Sequence, residues 1–553
     1  MSIIKKILKR FKNKIHKKRV VPKLNLINDY AHKEYYNQYY SKNAETTKIL
    51  KKLSSEYKAK PLDSNLKILS LIAVPGNFTQ IYYQQFIAYA LALRDCNISH
   101  LTCSGSENQC ASGRILQPSQ SCSDCLKYGQ NFLDNVVNNN QIKSYADFNL
   151  DTTLTSEFEK IGTLSFEELR KYTYKNIMFG KYIEEALNGY FLNCHLSQNP
   201  IVIQKFKEML IYDLTAYNAF IKYHHQETFD RVIMCGGVGP GYSGILNACK
   251  QSNIPCLTWE VWEGNTLNSV VWTKNDIASN FKVFNNKKEL DNYSIDHTKQ
   301  KMCTDYLMER VKGSKNTLSY NNQNTTLENV ISSKFGNIFN KPFTLLLTTV
   351  PWDANCFRKD HLFKSQYYWI LETIKFFKEK PEETLVIRAH PAESHKSVNP
   401  YRYTQETILS FLRQHIDVLP ENIIFIDSND DVSTYALFPY TKVALIFATT
   451  TIYELIYNNI PVICASKTHH INMGISIDPK NKKEYFNLLD NIDSLKVTDE
   501  QKSRSLKYAY KYLFERMIPY SQILNTRCLD DLKTGSNIHL DKICRDIIVA
   551  NNT

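Results

Sequence analysis

The chain has 553 residues, 43% of them apolar and 22% charged, and a formal net charge of +13. That length exceeds one compact core, and the composition is that of a globular protein rather than a disordered or fibrous one. No run of residues is apolar and long enough to span a bilayer, no signal peptide is evident, and the fourteen cysteines form no dense framework, so the expectation is a multidomain cytoplasmic protein with mostly reduced thiols.

The charge is unevenly placed. Residues 1–23 carry ten Lys or Arg and no Asp or Glu, which leaves only three of the thirteen net charges to the rest of the chain. A nearly neutral body argues against a nucleic-acid surface. In the arm, Ile3, Ile4, Ile7, Leu8, Phe11 and Ile15 recur at helical spacing between lysines. Such a basic amphipathic helix can dock on an anionic membrane surface at its inner face; a solvated tail or a partner-binding helix is the alternative.

Residues 1–60 comprise this arm and a Tyr-rich helical lead-in, and residues 61–313 begin a regular alternation of strands and helices. "LKILSLIAV" (Leu66–Val74) predicts a strand and Phe78–Arg94 an apolar helix. Downstream, Cys103, Cys110, Cys122 and Cys125 follow C-x6-C-x11-C-x2-C. Four thiolates can close a structural zinc site, although only the CxxC half has the usual ligand spacing; free or core cysteines are the alternative. "RVIMC" (Arg231–Cys235) is a strand, followed by the loop "GGVGPGYSG" (Gly236–Gly244), a helix to Gln251 and the strand "PCLTW" (Pro255–Trp259).

That loop spells G-x-G-x-x-G at Gly239, Gly241 and Gly244, with Glu260 about twenty residues onward, as in a dinucleotide fingerprint. Pro240 removes an N–H inside it, and the unit lies deep in the chain, so a tight turn or a backbone approaching a ligand is the preferred reading. "WEVWEGN" (Trp259–Asn265) sets Glu260 and Glu263 past the strand end beside aromatic rings. Either carboxylate is a candidate catalytic base for an acceptor hydroxyl; the alternative is an aromatic cluster with solvated acids.

Residues 314–340 turn polar, rich in Asn and Ser, and read as a linker. In residues 341–490, "FTLLLTTV" (Phe343–Val350), "TLVIR" (Thr384–Arg388), "NIIFID" (Asn422–Asp427), "KVALIF" (Lys442–Phe447) and "PVICA" (Pro461–Ala465) are apolar strands separated by helical patterns. The fold class is therefore α/β, with two Rossmann-like, doubly wound domains facing a cleft. Residues 491–553 are expected to be helices packing back, with Glu500–Pro519 crossing both domains.

Ligands of open α/β sheets bind beyond the carboxyl ends of the strands. Three stretches of the second block fall there: Arg388, His390 and Glu393 in "RAHPAE", Thr449, Thr450, Thr451 and Glu454 in "ATTTIYE", and Lys467 in "SKTHH". If the strands are all parallel, these share one edge. The threonines would crown a helix N-terminus able to hold a phosphate, with Arg388, His390 and Lys467 adding positive or donor groups. Glu454 would accept ribose hydroxyls, so the set describes a nucleoside diphosphate. Thr451 and Glu454 are also spaced as a capping box, which would make both purely structural. "DSNDD" (Asp427–Asp431) reads as a loop and helix cap rather than a metal site.

With these residues assembled, the second half resembles a family of bacterial capsular and surface polysaccharide biosynthesis proteins, related to GT-B-type glycosyltransferases. The resemblance rests, in order, on "TTVPWDANCF" (Thr348–Phe357), "LFKSQYYWILETI" (Leu362–Ile374), "VIRAHPAE" (Val386–Glu393), "DVSTYAL" (Asp431–Leu437), "ATTTIYELIYNNIPVI" (Ala448–Ile463) and "YAYKYLFERMIP" (Tyr508–Pro519). It implies a GT-B-like domain pair with a nucleotide-sugar donor on the second domain, Arg388 and His390 near its phosphates and Glu454 at its sugar. A polysaccharide or lipid-linked glycan would be the acceptor, and no cofactor would be needed for catalysis, since positive groups can replace a metal at the diphosphate. Asn458, Asn459 and Ile460 replace a glycine that many relatives carry there, and "KTHHINMG" replaces their Tyr/Arg/Gly-rich loop, so the donor's identity stays open. A polyol-phosphate (glycerophosphate-type) transferase, an epimerase of a nucleotide sugar and a non-catalytic scaffold in polysaccharide assembly are the rival readings.

Overall fold

The computed structural model describes residues 66–105, 142–312, 340–393 and 404–519, less short interior stretches such as 75–77, 93–95, 263–268 and 353–361, with a few residues beyond these ranges. The basic arm and lead-in (1–60), residues 314–339 of the linker, Cys110, Cys122 and Glu263 lie outside the described residues.

The first sheet is built from β1 (Lys67–Ile72), β2 (Asn97–Thr102), β3 (Ile142–Ser144), β4 (Arg231–Cys235), β5 (Cys256–Trp262) and β6 (Ser269–Lys274). β1 pairs in parallel with β2 on one side and β4 on the other, β2 with β3 and β4 with β5. The expected strand ending at Trp259 runs on to Trp262 and turns back antiparallel into β6. Helix α1 (Phe78–Ala92) packs on β1, β2 and β4. The 28-residue helix α2 (Pro200–Glu227) starts with Pro200 behind the capping side chain of Asn199, as proline's fixed φ favours, and α3 (Ser243–Gln251) packs on it.

The second sheet contains β7 (Phe343–Leu347), β8 (Leu385–Arg388), β9 (Ile423–Ile426), β10 (Thr441–Ile446) and β11 (Val462–Cys464), all parallel. Around it lie α4 (His297–Val311), α5 (Gln366–Lys378), α6 (Ile408–His415), α7 (Ile452–Tyr457) and α8 (Asp499–Tyr510). Side chains alternate between the two faces of each strand. Leu345, Leu347, Val386, Ala444, Ile446 and Val462 pack under α4, α7 and α8. Leu346, Leu385, Ile387, Leu445 and Ile463 pack under α5 and α6. Burial on both faces explains why these strands are continuous apolar runs rather than alternating ones.

Across the two sheets the strands run β3-β2-β1-β4-β5 and β9-β8-β7-β10-β11. Each unit thus has the order 3-2-1-4-5 along its own stretch of chain, and each reverses direction across the sheet at its first strand. These reversals, between β1 and β4 and between β7 and β10, are topological switch points where a doubly wound sheet opens a crevice. The fold expectation of two doubly wound α/β units is met; the first sheet is mixed rather than parallel at the β5–β6 edge.

Two segments tie the units together. Val283, Phe284, Leu290, Cys303, Tyr306 and Leu307 belong to the core of the second unit, so the first core ends before residue 283 rather than near 313. After α8, the chain passes through a π-helical turn (Lys511–Arg516) into β12 (Ile518–Pro519), which pairs antiparallel with β6 of the first sheet.

Candidate functional site

Leu347 pairs with Arg388 and Ile446, Ile446 with Cys464, and Arg388 with Ile426. The five strands of the second unit therefore end in one row, and the loops that follow share one edge, as the parallel arrangement requires. The switch point within that edge lies between the loop after β7, which starts at Thr348, and the loop after β10, which holds Ala448–Thr451.

Both loops are held from below. Gln366, the first residue of α5, accepts the N–H of Thr349 at 2.7 Å and donates to its carbonyl at 3.0 Å. The Thr348 hydroxyl accepts the backbone N–H of His390 at 2.8 Å, joining the ends of β7 and β8. In the second loop, Thr449 Oγ1 donates to Thr451 Oγ1 at 3.0 Å and accepts the Thr451 N–H at 3.2 Å. Thr449, Thr450 and Thr451 are all half-buried. The capping box does not form: Thr451 has helical φ and ψ (−61° and −10°) and makes no side-chain cap bond. Helix α7 has only six residues, so the donors at this loop are local N–H and hydroxyl groups rather than a long helix dipole.

The end of β8 holds three of the residues expected to bind the donor. Arg388 is 2% exposed, and its guanidinium donates to the carbonyls of Asp427 and Asp430. It fastens the loop after β9 to the edge from inside, so it is a positioning residue for that edge. Desolvation of the His390 ring, with Arg388 beside it, pushes its imidazole down to about 4. It is therefore neutral near pH 7, not the cation that the sequence allowed. His390 Nδ1 accepts the Ala392 N–H at 3.1 Å, which leaves the ring proton on Nε2. Glu393 is buried; its carboxylate accepts the Ile408 N–H at 2.6 Å at the start of α6, and burial pushes it up to about 8. It braces α6.

At the end of β11, Lys467 is exposed. His469 Nδ1 lies 3.0 Å from the Tyr508 hydroxyl, and its ring stacks on Tyr508 and Tyr512. Glu454 is 1% exposed, and its Oε1 lies 2.5 Å from Nε of Arg310 at the end of α4. Burial pulls the Arg310 guanidinium down, but Glu454 and the phenols of Tyr435 and Tyr306 outweigh it and hold it well above its ordinary value.

The first unit uses its own switch point differently. Asp213, fully buried in α2, accepts the N–H of Gly241 at 2.8 Å and that of Gly244 at 3.1 Å. The amides of the G-x-G-x-x-G loop thus face an internal carboxylate, which fills the role that the fingerprint assigns to a phosphate. Gly241 has φ +85°, and a Cβ there would lie 2.9 Å from Ala73 Cβ and 3.0 Å from the Tyr212 ring. Sequence reasoning passed over Asp213, although it is the only charged residue between Met209 and Phe220.

Glu260 sits within β5, half-buried and opposite Val271, rather than past a strand end. Burial and then Tyr508 raise the Tyr512 phenol well above its ordinary value, and Arg310, Tyr306 and Glu260 also act on it electrostatically. Glu260 of the first sheet and Arg310 of the second unit therefore both act electrostatically on Tyr512, within the π-helical turn. Of the proposed zinc ligands, Cys103 Sγ accepts the Gly105 N–H at 3.3 Å, and Cys103 and Cys125 are half-buried against the first core. Among the described residues no group of three or more His, Cys, Asp or Glu side chains is placed to hold a metal.

No protein-family model matches the chain, and no characterised protein matches it by sequence. Solved structures similar to it include a Methanocaldococcus jannaschii UDP-GlcNAc 2-epimerase in complex with UDP-GlcNAc and UDP, at 12% identity and a TM-score of 0.27, over 80% of this chain and 98% of that one. The Thermosulfurimonas dismutans KpsC β-Kdo 2,4 transferase matches at 10% identity and a TM-score of 0.33, over 55% of this chain and 88% of that one. A Streptomyces sp. SF2575 glycosyltransferase, SsfS6, complexed with thymidine diphosphate, matches at 9% identity and a TM-score of 0.23, over 81% and 96%. At these scores the fold description rests on the strand orders themselves.

Proposed function

We propose that this protein transfers a sugar from a nucleotide-activated donor to a growing capsular or surface polysaccharide. The observation that supports this most is the edge of the second sheet, where the Thr348–Thr349 and Thr449–Thr451 loops flank a switch point in one register row. Hydroxyl and N–H donors there suit a diphosphate, the neutral His390 ring supplies an Nε2–H donor, and Lys467 is the exposed cation of the set. Such donors can stabilise the leaving phosphate without a metal cofactor. Arg388, Glu393 and Gln366 hold the edge in place.

The acceptor, a polysaccharide or lipid-linked glycan, would approach from the first unit. Glu260 and Glu263 are the proposed bases for its hydroxyl, and Glu260 acts electrostatically on Tyr512 of the second unit. Residues 1–23 would hold the protein at an anionic membrane surface where such an acceptor is assembled. Among the described residues no helix is long and apolar enough to cross a membrane.

Calorimetry with CMP, UDP, GDP and CDP tests the donor site. Selective binding by the wild type, weakened about tenfold in Thr450→Val and Lys467→Ala, is the expected result. A folded wild-type protein that binds none of the four would sink the transferase reading.

A further inference from the structure

Trp352 stands in the loop after β7, four residues past Thr348, and is half-buried. Its indole Nε1–H donates to the hydroxyl of Thr404 at 3.1 Å, and the Thr404 N–H donates to the carbonyl of Glu393 at 3.2 Å. The indole thus reaches from the end of β7 to the residues that follow β8. Its one polar atom is engaged by Thr404, itself buried, so the ring can offer a ligand only carbon surface and π-electrons. The ring is also held in advance. Gln366 fixes Thr349 three residues before it, and Pro351 restricts the backbone immediately ahead. A plate positioned before the ligand arrives loses little entropy on binding.

Its place along the edge says what it would meet. The threonine loops that suit a diphosphate follow β7 and β10, Lys467 follows β11, and Trp352 reaches the other way, toward β8. Thr404 leads into α6, whose Ile408, Phe411 and Leu412 pack on one face of the sheet. The elements that join the two units, α4 and α8, pack on the opposite face. With the diphosphate between the threonine loops, the reacting sugar belongs toward the first unit and the nucleoside toward Trp352.

We propose that Trp352 stacks on the base of the donor nucleotide. This rests on the donor-site reading above and adds a source of affinity that needs no charge. Every base has a π-face, so the stack would hold the planar end of the donor without choosing among bases; that choice falls to groups at the rim of the base.

The test uses calorimetry with CMP, UDP, GDP and CDP, together with tryptophan emission and thermal melting, on wild type, Trp352→Phe and Trp352→Leu. Neither variant can donate to Thr404, so a difference between them reads the aromatic ring and not the hydrogen bond. Binding by Trp352→Phe is expected within about threefold of wild type, and by Trp352→Leu about tenfold or more weaker. The wild-type emission should fall along the calorimetric curve by an amount absent from Trp352→Phe. Ribose 5-phosphate, which has the sugar and phosphate but no base, should not cause that fall. Equal affinities in folded Trp352→Phe and Trp352→Leu overturn this inference and leave the donor site standing. So does a Trp352 emission that ignores nucleotide binding or responds as strongly to ribose 5-phosphate. No nucleotide binding by folded wild type overturns both. Should Trp352→Leu not fold, the emission comparison of wild type with Trp352→Phe decides alone.

Discussion

Asp213 Oδ1 accepts the backbone N–H of Gly241 at 2.8 Å, across 28 residues of chain, so an acid in the middle of a buried helix sets the shape of the first unit's glycine loop. Removing that carboxylate strands two inward-facing N–H groups. Asp213→Ala is expected to cost about 2–4 kcal/mol in chemical denaturation, with no loss of nucleotide affinity in the folded fraction. Gly241→Ala should cost a similar amount, because it pairs a positive φ with contacts at 2.9 and 3.0 Å.

The same aspartate gives stability a pH dependence. Burial pushes Asp213 up to about 7 and Glu393 up to about 8, above the ordinary range near 4. Between those limits the folded protein binds protons that the unfolded chain has released, so stability is greatest at the acid end and falls as pH rises through 7 and 8. Asp213→Asn or Glu393→Gln should each flatten that fall by up to about 1.4 kcal/mol per pH unit. Denaturant melts between pH 5 and 8 measure it; a slope unchanged in both variants contradicts the assignment.

Arg388 separates an internal from a ligand role. Because its guanidinium is spent on the carbonyls of Asp427 and Asp430, Arg388→Met should lower stability by roughly 2–4 kcal/mol. Nucleotide affinity at a temperature where the variant is folded should change by less than about threefold. A large affinity loss in a variant as stable as the wild type would restore the direct phosphate contact.

Among the described residues of the donor edge, charge is sparse once Arg388 is internal and His390 neutral. Nucleotide binding should therefore depend shallowly on salt, with a log–log slope near one, and should survive EDTA within about threefold. Calorimetry from 50 to 300 mM NaCl reads the slope. A strong requirement for Mg²⁺ would show that a metal carries the diphosphate.

The second unit was legible because a parallel sheet buried on both faces writes its strands as unbroken apolar runs, and β7, β8 and β10 each fill part of such a run. Polar partners were not legible. Arg388 finds carbonyls 39 and 42 residues away, and Glu454 finds Arg310 from across the linker. Local spacing offered Glu454 a capping box and could not show the competitor that won. β6 was not read from the sequence at all, and β12, with two residues, is too short for any periodicity. Asp213 did leave a mark, as one acid in an otherwise uncharged helical run, but a mark of that kind gives no partner.

The pairing of Ile518 with Val270 and of Pro519 with Ser269 also bears on how the chain is made. During synthesis, β6 waits for its outer neighbour until residue 519 has left the ribosome. The five strands of the second unit, in contrast, are all available once residue 464 has emerged. The earlier-encoded sheet is thus the later to close, and until then its β6 edge is open to strands of other chains. Chains that stop before Ile518 would keep that edge permanently.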